Sequence, residues 1–108
     1  MQLTEETLDP ADWQMMEQLG VQMVKEMMQF LSTVRERKVW QAPTEEVKDF
    51  FQQPLPVEPE LHEKIYADFK SKILPYPTGN IHPRFWGWVM GNGTPFALLA
   101  EMLASGIN

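Results

Sequence analysis

At 108 residues the chain has room for one domain, which excludes most complete two-substrate or large-cofactor enzymes. Hydrophobic residues make up 44% and charged residues 22%, so a packed core is within reach and a disordered tail is excluded. With 9 Lys and Arg against 15 Asp and Glu the net charge is -6, and without a basic stripe the chain lacks the electrostatic term that dominates nucleic-acid binding.

The lack of cysteine removes disulfides, thiolate zinc sites and thiol nucleophiles. Acidic residues stand near the start, where a secretory signal needs a basic and then an apolar run, and no stretch approaches the roughly 20 apolar residues of a membrane span. The expectation is a cytoplasmic protein with neither membrane nor nucleic acid as partner.

In chain order, Asp9-Pro10 reads as an N-cap followed by a first-turn proline, which predicts a long helix over residues 10–37. Trp13, Met16, Gly20, Met23, Met27, Phe30 and Val34 repeat by alternate threes and fours, and Leu19, Val24 and Leu31 widen the stripe. Asp9 and Asp12 at the start and Arg35, Arg37 and Lys38 at the end suit the helix dipole. Such a helix is about 40 Å long, more than the roughly 33 Å diameter of a compact domain of this size, so one end overhangs. Its apolar stripe is then expected to be covered by a second copy, through Trp13, Met16, Met23, Met27 and Phe30. Five methionines on this helix suit an adaptable interface; an ordinary intramolecular bundle is the alternative.

Thr44 before Glu45, Glu46 and Val47 predicts a short helix to Gln52, and the prolines at 54, 56 and 59 mark residues 54–59 as a stiff linker. Pro59 suits the first turn of a further helix with Leu61, Ile65, Phe69 and Ile73 four apart, ending before Pro75. Residues 75–80 are turn chemistry, and His82 to Val89 reads as an extended aromatic stretch with Trp86 and Trp88 on one face and Phe85 on the other. After the Gly91-Asn92-Gly93 turn, Thr94-Pro95 caps an apolar closing helix. The fold class is mainly α: a long helix, two shorter helices, an extended aromatic stretch and a closing helix. The chain ends on Ser105-Gly106-Ile107-Asn108 without a polar tail, which suggests a fragment of something longer.

Little in the chain carries chemistry by itself. His62 and His82 lack metal-ligand spacing and read as an exposed and a turn-capping histidine. Glu45, Glu46, Glu58, Glu60 and Glu63 are accounted for as acids near helix starts, and none of Ser32, Ser71 and Ser105 sits in a nucleophile elbow. The Gly91–Thr94 turn lacks a phosphate-binding lysine, and Pro95 removes one of its N–H donors. The aromatic run at 85–88 either lines a pocket or fills a core.

The run His82-Pro83-Arg84-Phe85-Trp86-Gly87-Trp88, followed by Gly93-Thr94-Pro95 and the helix from Leu98 to Leu103 ending in Ile107-Asn108, resembles the N-terminal region of group II pyridoxal-phosphate-dependent amino-acid decarboxylases, the aromatic-amino-acid decarboxylase family. The basic patch from Val34 to Val39, the proline-rich link and the helix from Ile65 to Ile73 are similar to that family as well, so residues 82–108 are the most specific part of a likeness covering nearly the whole chain. The resemblance implies the N-terminal helical segment of a fold-type I enzyme whose first helices intertwine with those of a second subunit, making a homodimer. It also implies that the rest of the decarboxylase chain holds pyridoxal phosphate. The family's cofactor lysine follows a histidine, whereas here His62 precedes Glu63 and His82 precedes Pro83; no cofactor and no catalytic residue is expected on this chain alone. By the same likeness Trp88, Val89, Met90 and Gly91 line the substrate pocket, where aromatic-amino-acid members have Tyr-Phe and then Pro-Thr. The rivals from other classes are a non-catalytic helical interaction module and an aromatic-lined binder of small ligands.

Overall fold

Asp12, rather than Asp9, starts the first helix in the computed structural model, which describes residues 6–88, 91 and 93–108. The Asp12 carboxylate accepts from the backbone N–H groups of Gln14 (2.9 Å) and Met15 (3.2 Å), satisfying two orphan donors. Pro10 therefore precedes the helix, α1, which spans Trp13–Ser32. The other end also comes early. The hydroxyls of Ser32 and Thr33 both turn back onto the Gln29 carbonyl, at 3.0 and 2.7 Å, competing with the backbone ladder. A single 3-10 turn, Val34–Glu36, follows, and the chain is extended at Arg37.

The expected helix over residues 10–37 is thus corrected to Trp13–Ser32, and Arg35, Arg37 and Lys38 lie beyond its last turn. At 20 residues α1 is about 30 Å long, so it does not overhang a compact domain by length alone. What is unusual is the packing. The radius of gyration is 17.6 Å and the extents are 63 × 35 × 23 Å, against about 13 Å for a compact chain of this length. The accessible surface is 9793 Å², where a compact monomer of this mass exposes about 6,200 Å². Among the described residues Phe30 and Val47 are the buried hydrophobic side chains, and none is fully enclosed.

The remaining helices begin on local chemistry. Thr44 Oγ1 accepts from the Val47 N–H (3.2 Å) and starts α2, Glu45–Phe50, two residues shorter than expected. Residues 54–59 form an irregular link. Helix α3, His62–Lys72, starts on Leu61, which is its N-cap rather than part of its apolar face, so Pro59 lies outside the first turn. It ends at Ile73, before Pro75, as expected. Thr94 Oγ1 accepts from the Ala97 N–H (3.1 Å) and Pro95 occupies the first position of α4, Pro95–Ile107.

Residues 37–41 and 74–84 are tied together across the end of α1. Arg37 lays its guanidinium 4.4 Å from the Phe30 ring centroid and donates through Nη2 to the Leu74 carbonyl (3.1 Å), while Gln41 Nε2 donates to the Pro75 carbonyl (2.9 Å). Buried His82 closes this clasp. Its Nδ1 accepts from the Arg84 N–H (3.0 Å), which leaves Nε2 to carry the proton and donate to the Arg37 carbonyl (2.9 Å). Gly79 completes the clasp with a left-handed φ of 86°.

Residues 82–88 are correspondingly not extended. The His82 N–H donates to the Gly79 carbonyl (2.9 Å) and the Phe85 N–H to the His82 carbonyl (3.0 Å), so this stretch begins as consecutive turns, and no strand occurs among the described residues. The expected alternation fails with it: Phe85 packs against Trp88, edge to face at 5.5 Å, instead of pointing away from it. His82 is the turn-capping histidine and His62 is exposed, as the sequence suggested.

Candidate functional site

Helices α1 and α3 meet through one polar knot and leave an apolar groove beside it. Glu26 reaches from α1 and accepts the Tyr66 hydroxyl at 2.5 Å, the Gln22 amide at 2.8 Å and the Lys70 ammonium at 3.1 Å. Lys70 also lies 4.7 Å from the centroid of the Tyr66 ring, which stacks on Phe69. The Tyr66 hydroxyl first, then Gln22 and Lys70, hold the Glu26 carboxyl down at about 2. Desolvation first, and then the bond to Glu26, push the Tyr66 phenol up to about 12.

These shifts fix the pH response of the α1–α3 contact. A depressed carboxylate contributes stability above its ordinary value of 4.5, lost as pH falls through about 2. A raised phenol contributes below 10, lost as pH rises through about 12. Glu26→Gln should therefore melt at a lower temperature than the parent by a constant margin from about pH 5 to pH 9, and the margin should close between pH 4.5 and 2. Thermal melts followed by far-UV circular dichroism check this, and a margin independent of pH down to 2 contradicts it.

The groove holds about 420 Å³ and is lined by Met16, Leu19 and Met23 of α1 and by His62, Ile65, Tyr66 and Phe69 of α3. Two of the residues expected at a chain–chain contact line it, Met23, which is 45% exposed, and Met16, which is half-buried, whereas Trp13 is 67% exposed and is not part of its lining. Met27 is half-buried on the same helix. Phe30 differs, being 9% exposed and covered within its own chain by Arg37.

The aromatic segment lies elsewhere. Trp88 remains 67% exposed although Phe85 packs on it, and the Phe85 ring lies so close to Gly87 that a Cβ there would stand 2.7 Å from Phe85 Cζ. Gly91 is exposed with open space about it, while Val89 and Met90 of the expected pocket wall lie outside the described residues, as does Asn92. Helix α4 buries none of its residues, although Phe96, Leu98, Met102, Leu103 and Ile107 make it apolar on most sides.

Sequence reasoning missed the Glu26–Tyr66–Lys70 knot, whose partners are 40 and 44 residues apart. Its signal was a carboxylate three residues after Met23 and four before Phe30, inside an apolar stripe. Among the described residues no group of His, Asp and Glu could hold a metal ion. No described helix is long and apolar enough to cross a membrane. No family model, curated protein or solved structure matches the chain.

Proposed function

We propose that this chain is the N-terminal helical dimerisation segment of a pyridoxal-phosphate-dependent amino-acid decarboxylase, a carboxy-lyase acting as a cytoplasmic homodimer. The observation that carries the reading is the uncovered surface, which includes the exposed apolar side chains of Trp13, Met23, Phe96, Met102, Leu103 and Ile107. The chain exposes about 3,600 Å² more than a compact monomer would, and one side of an obligate interface takes roughly 1,000–2,500 Å². That leaves enough for both a second copy on α1 and the remainder of the enzyme around α4. A helix apolar on most of its sides is one that other protein surrounds.

The likeness at residues 82–108 supplies the chemistry of the proposal. In such an enzyme this segment contributes dimer contacts and part of the wall of the substrate pocket, through Trp88 with Val89, Met90 and Gly91. The buried His82 of the His-Pro motif acts as a structural pin there, since both its ring nitrogens are used.

Four of this chain's lysines are unsuited to hold pyridoxal phosphate: Lys48, Lys64, Lys70 and Lys72 each hold a carboxylate within 3.4 Å, and pairing with Asp68 and Glu60 pushes Lys64 up, the opposite of what an amine that attacks a carbonyl requires, while Lys25 and Lys38 make no such pair. At the start of α4 the Thr94 hydroxyl is taken by Ala97 and Pro95 offers no N–H to a phosphate. The cofactor belongs, in this reading, to the large domain of the parent chain.

A second reading has one observation in its favour. The α1–α3 groove is complete within this chain, as a non-catalytic helical interaction module requires. Reading the coding sequence past Asn108 separates the two. Continuation into a large domain with a His-Lys pair is the expected result; a stop codon directly after Asn108 contradicts the decarboxylase proposal and leaves the interaction module.

A further inference from the structure

The fold leaves two adjacent cations unused. Lys38 stands beyond the 3-10 turn that follows α1, out of reach of the helix dipole, and among the described residues no carboxylate pairs with it. Arg37 is half-buried and has no carboxylate either. Its contact with the Phe30 ring occupies a face of the guanidinium, and its bond to the Leu74 carbonyl occupies Nη2, so most of its N–H donors remain available. In a chain of net charge -6, whose Lys48, Lys64, Lys70 and Lys72 all hold acids, neighbouring cations without one call for an anion from outside.

Both cations line one pocket. It holds about 270 Å³ between residues 37–41 and 75–77, and Trp40, Gln41, Pro75 and Pro77 line it with them; no acidic residue does. The bonds from Arg37 to the Leu74 carbonyl and from Gln41 to the Pro75 carbonyl already tie the two segments together, so little ordering is left for a ligand to bring about. Trp40 is 60% exposed, an indole that nothing in its own chain covers. Indole and proline rings are flat or rigid apolar surfaces that lose little freedom against a planar ring. The volume lies at the small end for ligand pockets, enough for one ring and a head group, and two cations in the wall repel a metal ion or an ammonium group.

We infer that this pocket binds a small organic anion, a flat apolar body bearing a carboxylate or a phosphate, with the charged head on Lys38 and Arg37 and the body against Trp40 and the two prolines. The site goes beyond the decarboxylase reading and does not depend on it, because every residue it uses is in this chain.

Titration of the nitrogen-15-labelled chain near neutral pH with benzoate, phenyl phosphate and the neutral benzamide tests it, followed by NMR at the Trp40 indole N–H and the Gln41 side-chain amide. Both anions should give saturable shifts with dissociation constants of about 1 mM or tighter, and the tighter of the two identifies the head group as carboxylate or phosphate. Benzamide should bind at least about tenfold more weakly. Lys38 is exposed and makes none of the clasp's bonds, so Lys38→Glu should keep the folded spectrum while weakening both anions at least about tenfold. Arg35→Glu makes the same change of charge at an exposed residue outside the lining and should alter binding less than about threefold. The inference is overturned by the absence of saturable shifts up to about 20 mM of either anion, by benzamide binding as tightly as benzoate, or by Arg35→Glu weakening the anions as much as Lys38→Glu. None of these results bears on whether the chain dimerises.

Discussion

Gly79→Ala is expected to open the clasp between residues 37–41 and 74–84. A side chain in the left-handed region costs about 1–2 kcal/mol, and here the new Cβ would also collide with the Val39 carbonyl, which is backbone and cannot rotate aside. Displacing Val39 pulls on Arg37 and Gln41, two residues to either side, whose bonds to His82, Leu74 and Pro75 hold the clasp shut. The total is on the order of 3 kcal/mol or more, a large share of the stability of a small domain. Amide hydrogen exchange should show lost protection for residues 74–85 with α1 and α3 still helical. Unchanged protection of the Arg84 amide, which His82 Nδ1 accepts, contradicts the clasp.

Met23→Asp is expected to have the second large effect, acting between chains on the proposed dimer. Met23 is half-exposed in a single copy and lines the apolar groove, so the separated monomer should fold with its helices intact. In a two-fold dimer each substitution occurs twice, and two desolvated, unpaired carboxylates cost at least about 3 kcal/mol. That is more than a hundredfold in the dissociation constant. Association as tight as the parent's removes Met23 from the interface.

The parts of this fold that were legible in the sequence are those set by a few adjacent residues. Thr44 and Thr94-Pro95 carry their own capping chemistry, and α2 and α4 start where it says. Asp9-Pro10 has the same appearance, but Asp12 lies close behind and its carboxylate reaches two N–H groups, so the later cap prevails. The end of α1 was hidden because Ser32 and Thr33 have ordinary helical neighbours, and only their back-bonding to Gln29 shows the stop. His82 to Trp88 was misread for a different reason. Its composition suits a strand, yet its conformation is dictated by the pin of His82 to Arg37, 45 residues away, and by turns that pattern counting does not see. The candidate site divides in the same way. The apolar side of α1 was visible as periodicity, whereas the α3 half of the groove and the Glu26 knot exist only once the two helices are brought together.

The central claim is that the apolar surface of α1 is covered by a second copy of the chain. Sedimentation velocity of the 108-residue protein from about 1 to 100 μM, near neutral pH where the Glu26 knot is intact, tests it most directly. The prediction is a species of about 25 kDa, twice the 12.6 kDa chain mass, that persists into the low micromolar range. A single 12.6 kDa species at every concentration, with far-UV helicity retained, would contradict it.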